Sequence, residues 1–158
     1  AQRGGAARMA PQDVKFMKDA AQGGMAEVQL GKMAAQKGAS SDVKQFGQRM
    51  ADDHSKANQE LMDLAKQKGV ALPSDTGAAH KALMSRLSRL SGAAFDRTYM
   101  GEMVKDHTKD VREFQHAAQT AKDADLKAWA GKTLPTLQDH LKMAKEIDAG
   151  LGKSAAKK

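Results

Sequence analysis

Cysteine is absent from the 158 residues, which removes disulfides, thiolate metal sites and cysteine nucleophiles from consideration. Aromatic residues are only 4% of the chain and prolines number three, while Ala, Met, Lys, Gln and Leu are plentiful. Such a chain lacks the usual filling of sheets and is well stocked with helix formers, so an all-α fold is expected. No apolar run approaches the roughly 20 residues of a membrane-spanning helix. There is no Ser/His/Asp arrangement, no Gly-rich phosphate loop and no acid pair of the kind used in hydrolysis or phosphoryl transfer, so a classical enzyme is not the expectation. The length suits one domain able to bury about two-thirds of its unfolded surface.

The net charge of +7 invites a nucleic-acid reading, and its distribution argues against a specific one. Arg3, Arg8, Lys153, Lys157 and Lys158 lie in terminal stretches without acids, and setting them aside leaves 21 of the 26 basic residues against 19 acidic ones. A protein that reads nucleic acid concentrates its charge on a folded face. Basic tails suit solubility or weak contact with an anionic envelope surface. The opening Ala1-Gln2-Arg3-Gly4-Gly5, without Met, fits a product left after signal cleavage, and export is the expectation.

The stop and start signals divide the chain into a disordered tail (1–10), a helical bundle (11–150) and a basic disordered tail (151–158). The first helix is expected from Asp13 to Gly38 and the second from Ser40 or Ser41 to Lys68, closed by Gly69. A long connection over 70–91 contains Pro73, Gly77 and a short amphipathic stretch with Leu83, Leu87 and Leu90. The third helix should run from Ala93 to Lys122 and the fourth from Asp125 to Ala149. At a constant offset of 83, Glu27 through Phe46 aligns with Asp110 through Trp129, including Val28/Val111, Ala34/Ala117, Gln36/Gln119 and Asp42/Asp125. Each copy spans a helix end, a short turn and a helix start. The expected architecture is therefore a ferritin-like four-helix bundle of two duplicated hairpins with one long crossover containing a short helix.

Apolar and small residues recur at steps of three and four on each helix, and each stripe is interrupted by ionisable residues near one point. The interruptions are Glu27 on the first helix, His54 on the second, His107 and Asp110 on the third and His140 on the fourth. Counted from the two hairpin turns, all five lie 12 to 18 residues away, within roughly 9 Å along the axis. Buried ionisable groups must be satisfied, and a divalent ion satisfies several at once. Imidazole with carboxylate suits Zn, Fe, Mn or Cu, so these five are the candidate metal ligands. A metal-free layer, with Glu27 paired to a histidine and His54 to Asp110, is the alternative. Met50 and Met103 each precede a histidine by four residues, where a thioether would favour copper and where methionine also serves as gap filler. Asp53 and Asp139 are expected at solvent or a helix edge, and His80 and His116 have no assigned role. Pro135, inside the fourth helix, suggests a kink.

Several strings also resemble a bacterial family of exported, ferritin-like four-helix proteins classed as a domain of unknown function. They include Ala26-Glu27-Val28-Gln29-Leu30-Gly31, Val43-Lys44-Gln45-Phe46, Asp53-His54-Ser55-Lys56-Ala57-Asn58, Leu72-Pro73, Ser91-Gly92-Ala93-Ala94-Phe95-Asp96, Asp106-His107 and Thr133-Leu134-Pro135-Thr136-Leu137-Gln138 with His140. The resemblance covers about residues 13–148 and implies a periplasmic or outer-membrane-associated location; it carries no established activity. The chain departs from the usual di-iron pattern of Glu-x-x-His, because Ala51 and Leu137 stand three residues before His54 and His140. Three functions are consistent with these features: a periplasmic metal-binding protein for storage, buffering or stress protection, a metal-dependent oxidoreductase acting on oxygen or peroxide, and a metal-free structural or binding module of the envelope.

Overall fold

A computed structural model describes residues 9–156, with side chains as far as Gly152. It contains five helices and no strand among the described residues: α1 (Pro11–Lys37), α2 (Ser41–Lys68), α3 (Ala78–Ser88), α4 (Gly92–Thr120) and α5 (Ala124–Ala156). None is long and apolar enough to cross a membrane.

Local chemistry sets most of these boundaries. Pro11 occupies the first turn of α1, where its missing N–H costs nothing. Ser40 caps α2, its hydroxyl accepting from the Asp42 N–H at 3.1 Å. Gly69 ends α2 in the left-handed region at φ 70°, and Val70 N–H then donates to the Ala65 carbonyl at 2.9 Å. The start expected near Asp13 falls at Pro11, with Asp13 in the first turn, and Asp13 also serves another element. Its buried carboxylate accepts from the Lys122 and Asp123 backbone N–H groups at 3.0 and 2.8 Å, at the turn between α4 and α5. Asp96, near the start of α4, treats the α1–α2 turn alike, accepting from Ala39 and Ser40 N–H at 2.9 Å each. Asp13 and Asp96 are themselves 83 residues apart, as are the turn residues they hold.

These bonds settle the topology. The start of α1 lies beside the α4–α5 turn, and the start of α4 beside the α1–α2 turn, so α1 and α4 run antiparallel. Lys68, at the end of α2, pairs with Asp123 and Asp125, at 3.1 and 2.8 Å, at the first of these ends. The crossover carrying α3 therefore travels the length of the bundle. Each hairpin packs most extensively within itself, and the two halves join through α2 on α5 and α1 on α4. Within the first hairpin the backbones approach closely at Gly31 and Gly47: a Cβ on Gly31 would lie 2.5 Å from the Gly47 carbonyl oxygen.

The end of α5 differs from expectation. Gly150 and Gly152 do not stop it, and residues 151–156, expected in a disordered tail, continue the helix, with Leu151 packed on the core. The rest of that tail and residues 1–8 lie outside the described residues. Pro135 stays within α5 on an exposed side, as does Gly131, whose carbonyl would otherwise accept from the N–H that proline lacks.

The core has two apolar clusters. One gathers Leu30, Val43, Phe46, Met50, Phe95, Tyr99 and Met103; the other gathers Met17, Leu61, Leu64, Phe114, Leu126, Trp129 and Leu137. Each large buried side chain contributes about 1.5–3 kcal/mol. Between the clusters on α2, α4 and α5 come His54, His107 and His140, so a polar layer divides an otherwise apolar interior.

Candidate metal centre

The three histidines reach one point because each replaces an inward residue one turn beyond a core side chain: Met50 before His54, Met103 before His107, and Leu137 before His140. His107 and His140 are fully buried and His54 is 8% exposed. The ring centroids form a near-equilateral triangle with sides of 5.3, 5.4 and 5.9 Å. One nitrogen from each ring lies within 4.8 Å of the others. Around an ion with nitrogen ligands at about 2.1 Å the nitrogens would stand roughly 3.4 Å apart, so small ring movements separate this arrangement from tetrahedral coordination.

The protons of two rings can be placed by their partners. His107 Nδ1 lies 2.9 Å from the Met103 carbonyl, which can only accept, so Nδ1 carries the hydrogen and Nε2 a lone pair. His140 Nε2 lies 2.7 Å from a carboxylate oxygen of Asp53. Burial opposes the charge on Asp53, but hydrogen bonds from His140 and Arg49 outweigh it and hold that carboxyl below its usual range. Asp53 is thus ionised and accepts from His140 Nε2, which leaves a lone pair on His140 Nδ1. The three remaining atoms, His54 Nε2, His107 Nε2 and His140 Nδ1, are buried without any hydrogen-bond partner.

Burial also keeps the trio neutral. It pushes His54 well below the usual imidazole range, aided by the neighbouring His107 and His140. His107 falls to about 4 through burial and His140, against a small opposing effect of the Met103 carbonyl. His140 is lowered by burial, with the Asp53 bond working the other way. Neutral imidazoles with free lone pairs could hold a metal ion, and an outer N–H held by a carboxylate or carbonyl is the usual orienting arrangement of such ligands.

The five-residue set put forward from the sequence therefore divides. The group of close ligand atoms consists of His54, His107 and His140, and neither Glu27 nor Asp110 belongs to it. Glu27 is buried, with Oε1 unpartnered, and its carboxyl is raised well above the usual range by burial and then by Asp110, Asp106 and Glu102 of α4. Burial and Glu113 push Asp110 up to about 7. Burial and a hydrogen bond with Glu102 push Asp106 up to about 8. Asp106 and Asp110, with Glu102 and Glu113, form an acidic side to α4, and Glu27 of α1 lies within their field.

Asp53 is the residue that sequence reasoning missed. It sits at a helix edge as expected, yet it reaches across to α5 and orients His140. Its spacing of four from Arg49 marks it as a fixed side chain, bonded at 3.2 Å. No pairing of Glu27 with a histidine or of His54 with Asp110 is present among the described hydrogen bonds. Met50 and Met103 are fully buried in the apolar cluster. Asp139 and His116 are exposed, and His80 donates to the Thr76 carbonyl at 2.6 Å.

The pseudo-symmetry of the chain is broken at this layer. At the offset of 83, His107 corresponds to Gly24, His140 to Ala57, and His54 to Leu137, so the centre has no twin in the other half. A search of curated proteins and a search of solved structures return no match. The model of one family, described as Domain of unknown function (DUF4142), matches residues 1–147, and the chain belongs to that family.

Proposed function

We propose that this protein binds one transition-metal ion between His54, His107 and His140 and serves to hold or buffer that ion in the cell envelope. The observation that carries this reading is that His54, His107 and His140 bring one ring nitrogen each within a common 4.8 Å, in a layer where each ring also has a buried nitrogen without a hydrogen-bond partner. Leaving a buried polar atom unpaired costs about 1–3 kcal/mol, so three together in one layer form an arrangement that a ligand relieves. Two of the three rings present fixed lone pairs, and the His54 ring, neutral and without a partner on Nε2, can present a third, so the layer suits a cation. Three neutral nitrogens without a carboxylate favour borderline ions such as Zn²⁺ or Cu²⁺ over Mn²⁺, Mg²⁺ or Ca²⁺. A metal-free polar layer is less well supported, because the outer nitrogens of His107 and His140 have partners while one buried nitrogen of each of the three rings has none.

Titration of chelator-treated protein with Zn²⁺ and Co²⁺, followed by calorimetry and by elemental analysis after gel filtration, tests the proposal. One ion per chain is expected, with the His107→Ala variant retaining its helical content and losing that equivalent. Wild-type protein that takes up no ion under these conditions would refute the reading.

A further inference from the structure

A small cavity of about 40 Å³ opens beside the trio, and His54 is part of its wall. The three larger surface grooves, of about 400, 690 and 690 Å³, have no member of the trio in theirs. A volume of this size takes one or two water-sized groups, the scale of a partly hydrated ion. Its wall also carries Asp19, Asp110 and Glu113. Asp19 is partly compensated by Lys15, at 2.6 Å, and Asp110, pushed up to about 7 by burial and Glu113, is only partly ionised near neutral pH, so Glu113 contributes most of the negative field. Two further side chains on the wall point to a polar occupant: His54, buried with Nε2 unpartnered, and Trp129, 8% exposed with Nε1 unpartnered.

Gly24 and Ala57 line the cavity, at positions that correspond through the offset of 83 to His107 and His140, and the room that Gly24 leaves is taken by the Asn58 side chain, which lines the cavity as well. His107 and His140 thus belong to the second hairpin, and the cavity opens at their small counterparts in the first, beside His54.

Resting on the metal-binding reading, we infer that this cavity is the port by which a divalent cation reaches the trio, with Glu113 foremost in drawing the hydrated ion to His54. A cleft lined by one sign of charge between low-dielectric walls raises the arrival rate of the opposite charge by about 10 to 10³-fold, and the effect falls with ionic strength. Arrival by this route depends on the carboxylates and on free bore, whereas the final affinity depends on the three imidazoles.

Stopped-flow mixing of chelator-treated protein with Co²⁺, read by the absorbance of the bound ion, separates these roles. The association rate constant of the wild type should fall steeply with added salt. Glu113→Lys should lower it by about tenfold or more and flatten its salt dependence. Gly23→Leu narrows the same cavity at a helical position where an added Cβ meets nothing within 4 Å, and it should slow both uptake and release while final occupancy is unchanged. Rates in both variants equal to the wild type, at full occupancy, would overturn the port and leave the metal centre standing. A wild type that never binds Co²⁺ would overturn the metal centre and the port with it.

Discussion

At His54 the chain has placed an imidazole whose Nε2 finds no partner, in a slot that its counterpart in the other half fills with Leu137. A polar atom retained there costs folding stability, which the proposed metal binding would offset. His54→Leu should therefore make the ion-free protein more stable by about 1–2 kcal/mol while abolishing uptake of Zn²⁺. Urea unfolding in the presence of a chelator, beside a calorimetric titration, checks both halves of that statement; a variant less stable than the parent would show that the imidazole is already satisfied. For the parent, Zn²⁺ at a hundred times its dissociation constant should add about 2.7 kcal/mol, and a chelator should remove it. The histidines were legible in the sequence because each interrupts an apolar stripe. Asp53 was not, since it lies off the stripe and its partner is 87 residues away.

Among the helices, the ends show most clearly what a linear reading captures. Ser40 and Gly69 act on their own helix, so the chemistry of the residue predicts its place. Asp13 looks like a first-turn acid and is one, but its carboxylate is engaged by the opposite hairpin, information that exists only after folding. Gly150 and Gly152 read as a stop and are carried through by the helix, with Leu151 packed against the core just before the second. Asp96→Ala removes two charge-assisted bonds and strands the Ala39 and Ser40 N–H groups in a part-buried turn. It should cost about 2–4 kcal/mol, and Asp13→Ala about the same. Chemical denaturation measures both; a loss below about 0.5 kcal/mol at either would mean that water replaces the carboxylate freely.

Across the whole molecule, two sets of buried groups pull stability in opposite directions with pH. The histidines have folded-state values below the unfolded one, so their contribution is complete above about pH 6.5 and declines as pH falls toward about 4, the value for His107. Asp110 and Asp106 are raised to about 7 and 8, and Glu27 is raised as well, so their contribution is complete at low pH and is lost as pH rises through those values. Between roughly pH 4 and 6.5 the two trends oppose each other, and above that only the acids act. The melting temperature of ion-free protein should fall between pH 6.5 and 8.5, and Asp110→Asn should flatten that fall. A melting temperature that climbs across this interval would contradict the assignment. The number of long helices and their pairing were readable from periodicity and punctuation, and so was the common height of the histidines. The separation of Glu27 and Asp110 from them was not, because equal height along an axis says nothing about which way round the barrel a side chain points.

The reciprocal grip of Asp13 and Asp96 has a consequence for how the chain can be cut. Neither half owns the acceptor that finishes its own bend, so neither is a complete folding unit, and the tether between them contributes only proximity. Severed in the loop near Pro73, the two pieces should each be unstructured alone and should regain helical circular dichroism when mixed, in equal amounts and with a concentration-dependent midpoint. Trading Asp96 for alanine in one piece should weaken that reunion far more than it weakens the intact chain's hold on itself.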